Sequence, residues 1–362
     1  MQLEKANVLL FTRAMGLGGT ENVVLQLCDF LYPRVSNLIV CSCGGVHVKR
    51  LEEIGITHYC IPDIIDKNPV SVLKVFTKLR KIISEEHINV IHTHHRMAAF
   101  YISVSGLYRT RFFVNTSHNT FHDKIKLTQL AYKHAHLIAC GETVKQNLIN
   151  KFQISSRRIT VIHNAVKAFE GRIVIDKLLE ELHADGCFIV GNVGRLSRQK
   201  GMEYFIRAIP LIIHKHPEAR FVIAGTGEDD QKLKDLSIKE GIQEYLYFLG
   251  YRNDIQNLMC QLDLIVLSSL WEGLPLTPIE AYSVGKTVVA TAVDGTVEII
   301  RDGIDGCLIS PQNSEEIAEK VNYLIENPDR KRNMEIQAVE RYREEFSYEK
   351  LMDSYIKYYE EL

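Results

Sequence analysis

Two glutamates stand on either side of a Gly-Leu-Pro turn in the stretch SSLWEGLPLTPIEAYSVGKTVVAT, residues 268–291. Pro278 favours the first turn of a helix, which we expect to end at Gly285. Glu272 is therefore predicted in the loop before this helix and Glu280 in its first turn. The apolar run LDLIVL just upstream indicates a buried strand, so both acids fall at its carboxyl end. An ionised carboxylate accepts two hydrogen bonds from a vicinal diol, which suits a hydroxyl-rich ligand.

The start of the same helix offers a second kind of contact. The backbone amides near Leu276 and Thr277 are unpaired there, and the helix dipole favours an anion beside them. One stretch can thus hold hydroxyl groups and phosphate together. The alternative interpretation is structural: Glu280 merely stabilises the helix start and Glu272 is solvated.

A pair of cations occurs at another strand-to-helix loop. GNVGRLSRQKGMEYFIRAI, residues 191–209, begins as a buried strand and becomes a helix near Lys200. Arg195 and Lys200 flank the loop, and two cations beside a helix start can bind a diphosphate. AGTGEDD, residues 224–230, adds a Gly-rich strand end. Two solvated basic residues are the alternative interpretation.

These loops must be held by a sheet, and the pattern of the chain predicts two. Short apolar runs without polar alternation indicate strands that are buried on both faces of parallel sheets. They occur at 7–11, 37–41, 88–93, 111–116, 137–140, 187–194, 220–225, 245–250, 262–267 and 287–291. Amphipathic segments separate them at 19–32, 71–86, 200–215, 229–240 and 314–326. We therefore expect an α/β protein with two doubly wound domains, joined near residues 165–180.

Composition and charge limit the function classes. No apolar run is long enough to cross a membrane, and the N-terminus predicts a first strand and not a signal peptide. Eight cysteines in such a chain predict reduced thiols, not a zinc site. Residues 1–165 carry 20 Lys+Arg against 11 Asp+Glu, a net charge of +9, which leaves −11 for the remainder. The basic half is expected to meet something anionic, or the two halves to attract each other.

Taken in order, five segments resemble those of one known family: GRLSRQKG, AGTGE, LGYRNDI, SSLWEGLPLTPIEAYSVGKTVVAT and DGTVEIIRDGIDGCLISP. In the fourth, seven residues separate Glu272 from Glu280. The five segments are similar to the donor domain of retaining glycosyltransferases of the GT-B fold, family 4 type. GLGGTENVV, residues 16–24, resembles the family's N-terminal Gly-Gly loop. The resemblance implies two Rossmann-like domains facing each other across a cleft. It implies an acceptor domain at 1–168, a donor domain at 169–345 and a helix at 346–362 that crosses back to the first domain.

The family's site residues carry over to matching positions. Glu272 is expected to contact the transferred sugar and Glu280 the ribose diol, while Arg195 and Lys200 neutralise the diphosphate. With His118 near the sugar, Glu272, Arg195 and Lys200 form the expected catalytic group. The other expected donor contacts are Gly18, Gly19, Gly225, Tyr251, Arg252, Gly273, Leu274, Leu276 and Thr277. His94 and Asn119 are expected on the acceptor side.

The implied reaction moves a sugar from a nucleotide-diphosphate sugar, UDP favoured over GDP, to a glycan or lipid-linked acceptor in cell-surface polysaccharide or glycolipid synthesis. The family retains anomeric configuration, with same-face attack preferred over a covalent intermediate on Glu272. The sequence has no Asp-x-Asp, the usual metal ligand pair of the other large glycosyltransferase fold. We therefore expect no metal and no cofactor beyond the donor. One departure is HNAV, in which Ala165 replaces a usual glycine.

The basic first half has a local focus. Residues 71–83 place Lys74, Lys78 and Lys81 at helical spacing, and Arg109 follows further on. Such a helix can lie on an anionic membrane, which predicts a cytoplasmic enzyme that is peripheral at the inner face. The alternative is an ordinary amphipathic helix on the sheet. We expect no nucleic-acid partner.

Three other interpretations compete with this one. A nicotinamide-dependent dehydrogenase shares the fold class, but Glu21 replaces the third glycine of the fingerprint and no acid ends the next strand. A non-catalytic binding protein or partner subunit on the same plan needs no diphosphate clamp. His92 and His94 share a strand face, which also permits a metal pair.

Overall fold

The computed structural model describes residues 2–362, which form two compact units. The first unit extends to Asn164 and includes the C-terminal segment Leu351–Leu362, and the second is Ala165–Lys350. Residues 165–168, expected in the first domain, and 346–350, expected in the terminal helix, belong to the second unit. A backbone bridge joins these two segments, from Val166 to Ser347.

Each unit contains a parallel sheet. In the first, the strands are β1 (Asn7–Phe11), β2 (Asn37–Ser42), β3 (Thr57–Cys60), β4 (Val90–Thr93), β5 (Phe112–Ser117), β6 (His136–Ala139) and β7 (Ile159–Val161). In the second they are β8 (Phe188–Val193), β9 (Ala219–Ala224), β10 (Leu246–Gly250), β11 (Leu264–Leu267), β12 (Val288–Thr291) and β13 (Gly306–Ile309). Their orders are β3-β2-β1-β4-β5-β6-β7 and β10-β9-β8-β11-β12-β13. The order reverses between β1 and β4 and between β8 and β11, where doubly wound sheets bind ligands.

Helices connect the strands in both units. In the first they are α1 (Gly19–Leu31), α2 (Val48–Glu53), α3 (Pro69–Glu85), α4 (Arg96–Ser105), α5 (Ile125–Tyr132) and α6 (Glu142–Phe152). In the second they are α7 (Lys177–Ala184), α8 (Met202–Ile213), α9 (Asp230–Lys239), α10 (Ile255–Cys260), α11 (Leu276–Ser283), α12 (Thr296–Ile299), α13 (Ser314–Glu326) and α14 (Pro328–Arg341). The last helix, α15 (Tyr348–Glu361), begins in the second unit and ends in the first.

The predicted fold class is confirmed, and each predicted strand agrees with an observed strand within two residues. The central strands β1, β4, β8 and β11 are almost entirely buried, as expected for sheets covered on both faces. Three strands were missed in the sequence: β3, β7 and β13. β3 is only partly buried and β7 has three residues, so neither has the apolar run that marks a strand.

The C-terminal helix packs against the first sheet through tyrosines. Tyr355 and Tyr359 are fully buried, and the Tyr359 hydroxyl lies 2.6 Å from Nδ1 of His92 on β4. This bears out the expectation that the chain crosses back. Among residues 2–362 no disulfide forms, and no helix is long and apolar enough to span a membrane.

Candidate active site

The second unit brings a cation and an acid together where its strand order reverses. Lys200 follows β8, and Glu272 follows the neighbouring strand β11. Lys200 Nζ lies 2.6 Å from Glu272 Oε1, and the two side chains are 18% and 7% exposed. The sequence predicted both residues at this edge but placed them in separate roles. In the structure they form one buried ion pair.

Neighbouring backbone and hydroxyl groups fix Glu272. Ser269 Oγ donates to the same Oε1 at 2.6 Å, and the Ser269 carbonyl accepts from Thr291 Oγ1 at 2.6 Å. The Glu272 amide donates to the Asp294 carboxylate at 2.9 Å. The sequence analysis missed Ser269, although its spacing of three residues before Glu272 is a visible signal.

A glycine lets the loop that carries Lys200 pack closely on the loop after β11. Lys200 ends a 3-10 turn, and Gly201 follows with a left-handed φ of +56°. A Cβ on Gly201 would lie 2.3 Å from the Ser268 carbonyl oxygen, so the loop after β8 packs directly on the loop after β11. Ser268 Oγ donates to the Lys200 carbonyl at 3.1 Å, which ties the two loops together.

Glu280 lies near the same lysine, but deeper in its helix than predicted. α11 begins at Leu276, with Pro275 as the residue before it, so Glu280 is in the second turn and not the first. Burial of this half-buried carboxyl raises its pKa to about 7, and the positive charge of Lys200 opposes the rise. The carboxyl is thus close to titration at neutral pH. Lys200 is the group that both acids share.

The rest of the predicted helix start is mostly enclosed. Leu274 and Thr277 are buried, and Leu276 is half-buried at the first helical position. Gly273 lies against Gly295, at which a Cβ would come within 1.9 Å of the Gly273 carbonyl oxygen.

Arg195 and Gly225 lie on the loops after β8 and β9. Gly225 has φ of +149°, and a Cβ there would lie 1.8 Å from the Gly194 carbonyl oxygen, so only glycine fits. The Arg195 side chain is 68% exposed and reaches Glu228 at 3.0 Å. An exposed ion pair of this kind is weak, which leaves the guanidinium available to an anion.

Arg252 forms ion pairs with two carboxylates that were not predicted from the sequence. Its guanidinium donates to Asp254 through Nε at 2.8 Å and Nη2 at 2.8 Å, and to Asp176 through Nη1 at 2.6 Å. Hydrogen bonding to Arg252 lowers the pKa of Asp254 to about 2. The arginine therefore fixes the turn after β10. Tyr251, which is 53% exposed, is the side chain of this turn that is free to meet a ligand.

In the first unit, the Gly-Gly loop leads into α1. Gly18 precedes the helix in an extended conformation, and Gly19 is its first residue. A Cβ on Gly18 would come within 2.5 Å of Glu21 Oε2, so the Glu21 carboxylate lies over the glycine. Burial raises the pKa of Glu21. The Glu21 carboxylate thus lies at the N-terminus of α1 in this structure.

The predicted histidines meet at the carboxyl ends of β4 and β5. His94 Nδ1 lies 3.2 Å from His118 Nε2, and the remaining nitrogens, His94 Nε2 and His118 Nδ1, are buried without a hydrogen-bond partner. His92 instead bonds Tyr359 and, at 2.8 Å, Thr116. Burial lowers the pKa of His92 to about 3 and of His118 to about 4. His92 is therefore structural, while His94 and His118 form a neutral pair.

Within residues 2–362, no group of three or more His, Cys, Asp or Glu side chains is placed to hold a metal ion. Asn119 is exposed next to His118. Its loop is held by Arg96, which donates to Asp123 at 2.9 Å. The acceptor role of Asn119 stays a prediction.

Solved structures define the fold. Crystal structures of HepE from Anabaena superpose on almost the whole chain. The one in complex with UDP-glucose has a TM-score of 0.86 at 23% identity and covers 98% of this chain and 100% of that one. A glycosyltransferase from Rickettsia africae gives 0.85 at 22% identity, covering 98% of each chain. The fold is that of the GT-B glycosyltransferases.

The family follows from the sequence itself. A family model described as glycosyl transferases group 1 matches residues 176–341, and one described as glycosyltransferase family 4 matches residues 17–168. The protein belongs to the GT-B glycosyltransferases of this group 1, family 4 type.

Named relatives share most of the chain. A UDP-Gal:alpha-D-GlcNAc-diphosphoundecaprenol alpha-1,3-galactosyltransferase of Escherichia coli is 28% identical over 314 residues, which is 81% of each protein. The phosphatidylinositol N-acetylglucosaminyltransferase GPI3 subunit of Saccharomyces cerevisiae is 25% identical over 326 residues, 76% of this chain and 69% of that protein.

Proposed function

We propose that this glycosyltransferase moves a hexose from a UDP-sugar to a lipid-linked or glycan acceptor of the cell envelope, with retention of configuration and without a metal. The observation that carries the proposal is the Lys200–Glu272 pair at the point where the strand order reverses, and the charge of the same lysine also acts on Glu280. A cation that already holds a carboxylate can exchange it for a diphosphate.

The donor fits this edge in a definite order. The diphosphate takes Lys200 from Glu272 and is met by the exposed guanidinium of Arg195. Glu272, still held by Ser269, accepts hydrogen bonds from the sugar hydroxyls. Glu280 accepts from the ribose diol. Each of these groups is placed before the donor arrives, which is the source of most electrostatic catalysis.

The reaction can then be followed by its charges. The bond between the anomeric carbon and the phosphate oxygen breaks, which leaves positive charge on the sugar and negative charge on UDP. The acceptor hydroxyl oxygen bonds to the anomeric carbon on the face that UDP leaves, and its proton passes to a phosphate oxygen. Lys200 and Arg195 stabilise the charge that develops on UDP. Two pre-placed cations supply what a metal ion supplies elsewhere, and this supports metal independence.

The choice of UDP and of a lipid-linked acceptor is supported by what the relatives are named for. The name of the Escherichia coli enzyme specifies UDP-Gal and an undecaprenol-linked acceptor, and that of the Saccharomyces cerevisiae relative specifies phosphatidylinositol. A lipid-linked acceptor requires access to a membrane surface. In the first unit, α3 exposes Val70 at 59% and Leu73 at 64%, beside the exposed Lys74 and Lys81. This face supports peripheral binding to an anionic inner leaflet.

The alternative is a non-catalytic partner subunit, since the Saccharomyces cerevisiae relative is named as one subunit of its enzyme. A thermal-shift titration with UDP, GDP, ADP and NAD, each with magnesium and with EDTA, separates the possibilities. Our proposal predicts stabilisation by UDP that EDTA does not remove, about 2.7 kcal/mol at 100 times the dissociation constant. Release of UDP from a UDP-sugar must follow in the isolated chain. Binding without release points to the non-catalytic alternative, and binding of NAD alone overturns the proposal.

A further inference from the structure

Asp294 has an unusual backbone for its residue type. It follows β12 at the same carboxyl edge as Glu272, and its φ is +36°, in the left-handed region that side chains rarely adopt. Aspartate tolerates this region better than most residues, but glycine would occupy it without strain. An aspartate therefore occupies a position at which the backbone conformation favours glycine.

The Asp294 carboxylate accepts a hydrogen bond from the Glu272 amide at 2.9 Å. The next residue brings the two loops into backbone contact, because a Cβ on Gly295 would lie 1.9 Å from the Gly273 carbonyl oxygen. The loop after β12 thus lies directly on the backbone of the loop that carries Glu272.

The opposite end of the same peptide unit is also held. Gln199 Nε2 donates to the Trp271 carbonyl at 3.0 Å, and the Gln199 carbonyl accepts from the Leu270 amide at 2.7 Å. The Trp271 carbonyl and the Glu272 amide belong to one planar peptide group. Gln199 and Asp294 therefore hold this plane by its two polar ends, which prevents it from rotating and redirecting the Glu272 side chain.

We propose that Asp294 is a positioning residue for the transferred sugar, acting through the Glu272 backbone. The inference rests on the donor assignment proposed above. In this structure the Glu272 carboxylate has two side-chain partners, Lys200 and Ser269. When a diphosphate takes Lys200, one partner is lost. The fixed peptide plane then keeps the carboxylate aimed at the sugar hydroxyls.

This role makes a prediction that a purely structural role does not. Asp294 is expected to contribute to binding of the sugar and not of the nucleotide, because the contact that it makes at this edge is with the Glu272 amide. Asp294→Gly removes the acceptor and keeps the backbone allowed, whereas Asp294→Asn keeps an acceptor oxygen and tolerates the same backbone. Gln312→Gly is the matched control, since Gln312 also has a left-handed φ, +62°, in a turn outside the site.

The test measures dissociation constants for UDP and for whichever of UDP-glucose, UDP-galactose and UDP-N-acetylglucosamine binds the wild type most tightly. Asp294→Gly should bind the UDP-sugar about tenfold more weakly, the effect of one lost charge-assisted hydrogen bond, and UDP as the wild type does. Asp294→Asn and Gln312→Gly should behave as the wild type for both.

Hydrogen exchange at the Glu272 amide tests the contact without any ligand, and Asp294→Gly should accelerate it. Equal exchange in the two proteins, or an unchanged affinity for the UDP-sugar, overturns the inference. So does equal weakening of UDP and UDP-sugar, which would mean a general disturbance of the edge. If the wild type binds no UDP at all, the donor assignment fails, and this inference fails with it.

Discussion

Lys200 Nζ lies 2.6 Å from Glu272 Oε1, and both side chains are largely withdrawn from water. The lysine comes from the loop after β8 and the acid from the loop after β11, so the pair joins the two strands between which the order of the sheet reverses. Breaking such a pair leaves a buried charge without its partner, which is costly. A donor diphosphate offers Lys200 a replacement anion and frees Glu272 for the sugar.

Replacing Lys200 should strongly impair catalysis. Lys200→Met removes a pre-placed cation, and we expect kcat/KM for a UDP-sugar to fall by two to three orders of magnitude, which corresponds to about 2.7–4 kcal/mol in the barrier. Lys320→Met is the matched control, since Lys320 pairs with Glu319 at 3.2 Å on the surface of the same unit. Steady-state kinetics and melting temperatures of the two variants test this. The assignment would be refuted if Lys320→Met lost as much kcat/KM as Lys200→Met.

Glu280 should make nucleotide affinity depend on pH. Its pKa is about 7 in the folded protein, whereas that of an unfolded glutamate is 4.5. Between these two pH values the folded protein therefore keeps a proton that the unfolded chain has lost. The ribose diol favours the ionised form, so the affinity for UDP should rise by about tenfold between pH 6 and 8. Glu280→Gln should bind weakly with a flat profile. Calorimetric titrations at several pH values check this, and a wild-type profile as flat as that of the variant contradicts it.

The raised pKa of Glu280 also makes the stability of the protein depend on pH. Because the folded pKa of Glu280 is raised, its contribution is fully present below pH 4.5 and is lost as the pH rises through about 7. The free energy of unfolding of Glu280→Gln, which carries no charge, should therefore exceed that of the wild type at pH 8 by up to about 3 kcal/mol more than at pH 4.5. Denaturant titrations followed by Trp271 fluorescence would report on this unit.

Arg252 should matter for stability and not directly for donor binding. Arg252→Gln breaks contacts to Asp176 and Asp254, and we expect about 1–2 kcal/mol of destabilisation, with UDP affinity little changed. The wild type should lose part of its stability as the pH falls from about 4 through the Asp254 pKa of about 2, and the variant should not. Arg207→Gln, which removes one exposed pair, serves as the control. A large loss of UDP affinity in a folded Arg252→Gln would assign the residue to the donor after all.

The buried histidines should make the first unit sensitive to acid. Burial lowers the folded pKa values of His92 and His118 to about 3 and 4, so the unfolded chain binds protons first as the pH falls below 6.5. The free energy of unfolding should then decrease by about 1.4 kcal/mol per pH unit for each histidine down to pH 4. His118→Gln should remove one such contribution. Hydrogen exchange in β5 measures this, and a pH-independent protection would contradict it.

The face of α3 should bind anionic vesicles. Leu73→Ser should reduce binding to vesicles that contain phosphatidylglycerol, because it removes an exposed apolar anchor, and Lys74→Glu should reduce it by about 1 kcal/mol or more. Lys232→Glu in the second unit, a residue 57% exposed, is the control. Co-sedimentation at low salt is the measurement. Equal binding by all three variants would show that α3 does not bind the vesicles.

The fold was readable from the sequence where burial is strongest. β8 and β11 have uninterrupted apolar runs, and α13 was predicted with its observed bounds because its amphipathic pattern is regular. β3 and β7 were missed because short or partly exposed strands lack that pattern. The first turn of α11 was misplaced because Pro278 lies two residues inside the helix, where proline is also tolerated.

The site was readable as residue types but not as contacts. Glu272, Glu280, Arg195 and Lys200 are visible through their spacing around predicted strand ends. The pairing of Lys200 with Glu272 depends on which strands are neighbours, and periodicity does not give strand order. Likewise, nothing near Arg252 in the sequence indicates that Asp176, 76 residues away, accepts from it.

The most direct test of the central claim compares UDP with uridine in calorimetric titrations of the wild type and Lys200→Met. If Lys200 exchanges Glu272 for the diphosphate, the variant should bind UDP at least about tenfold more weakly and bind uridine as well as the wild type does. If Lys200→Met binds UDP as tightly as the wild type, the ion pair is structural. The donor would then have to be held elsewhere.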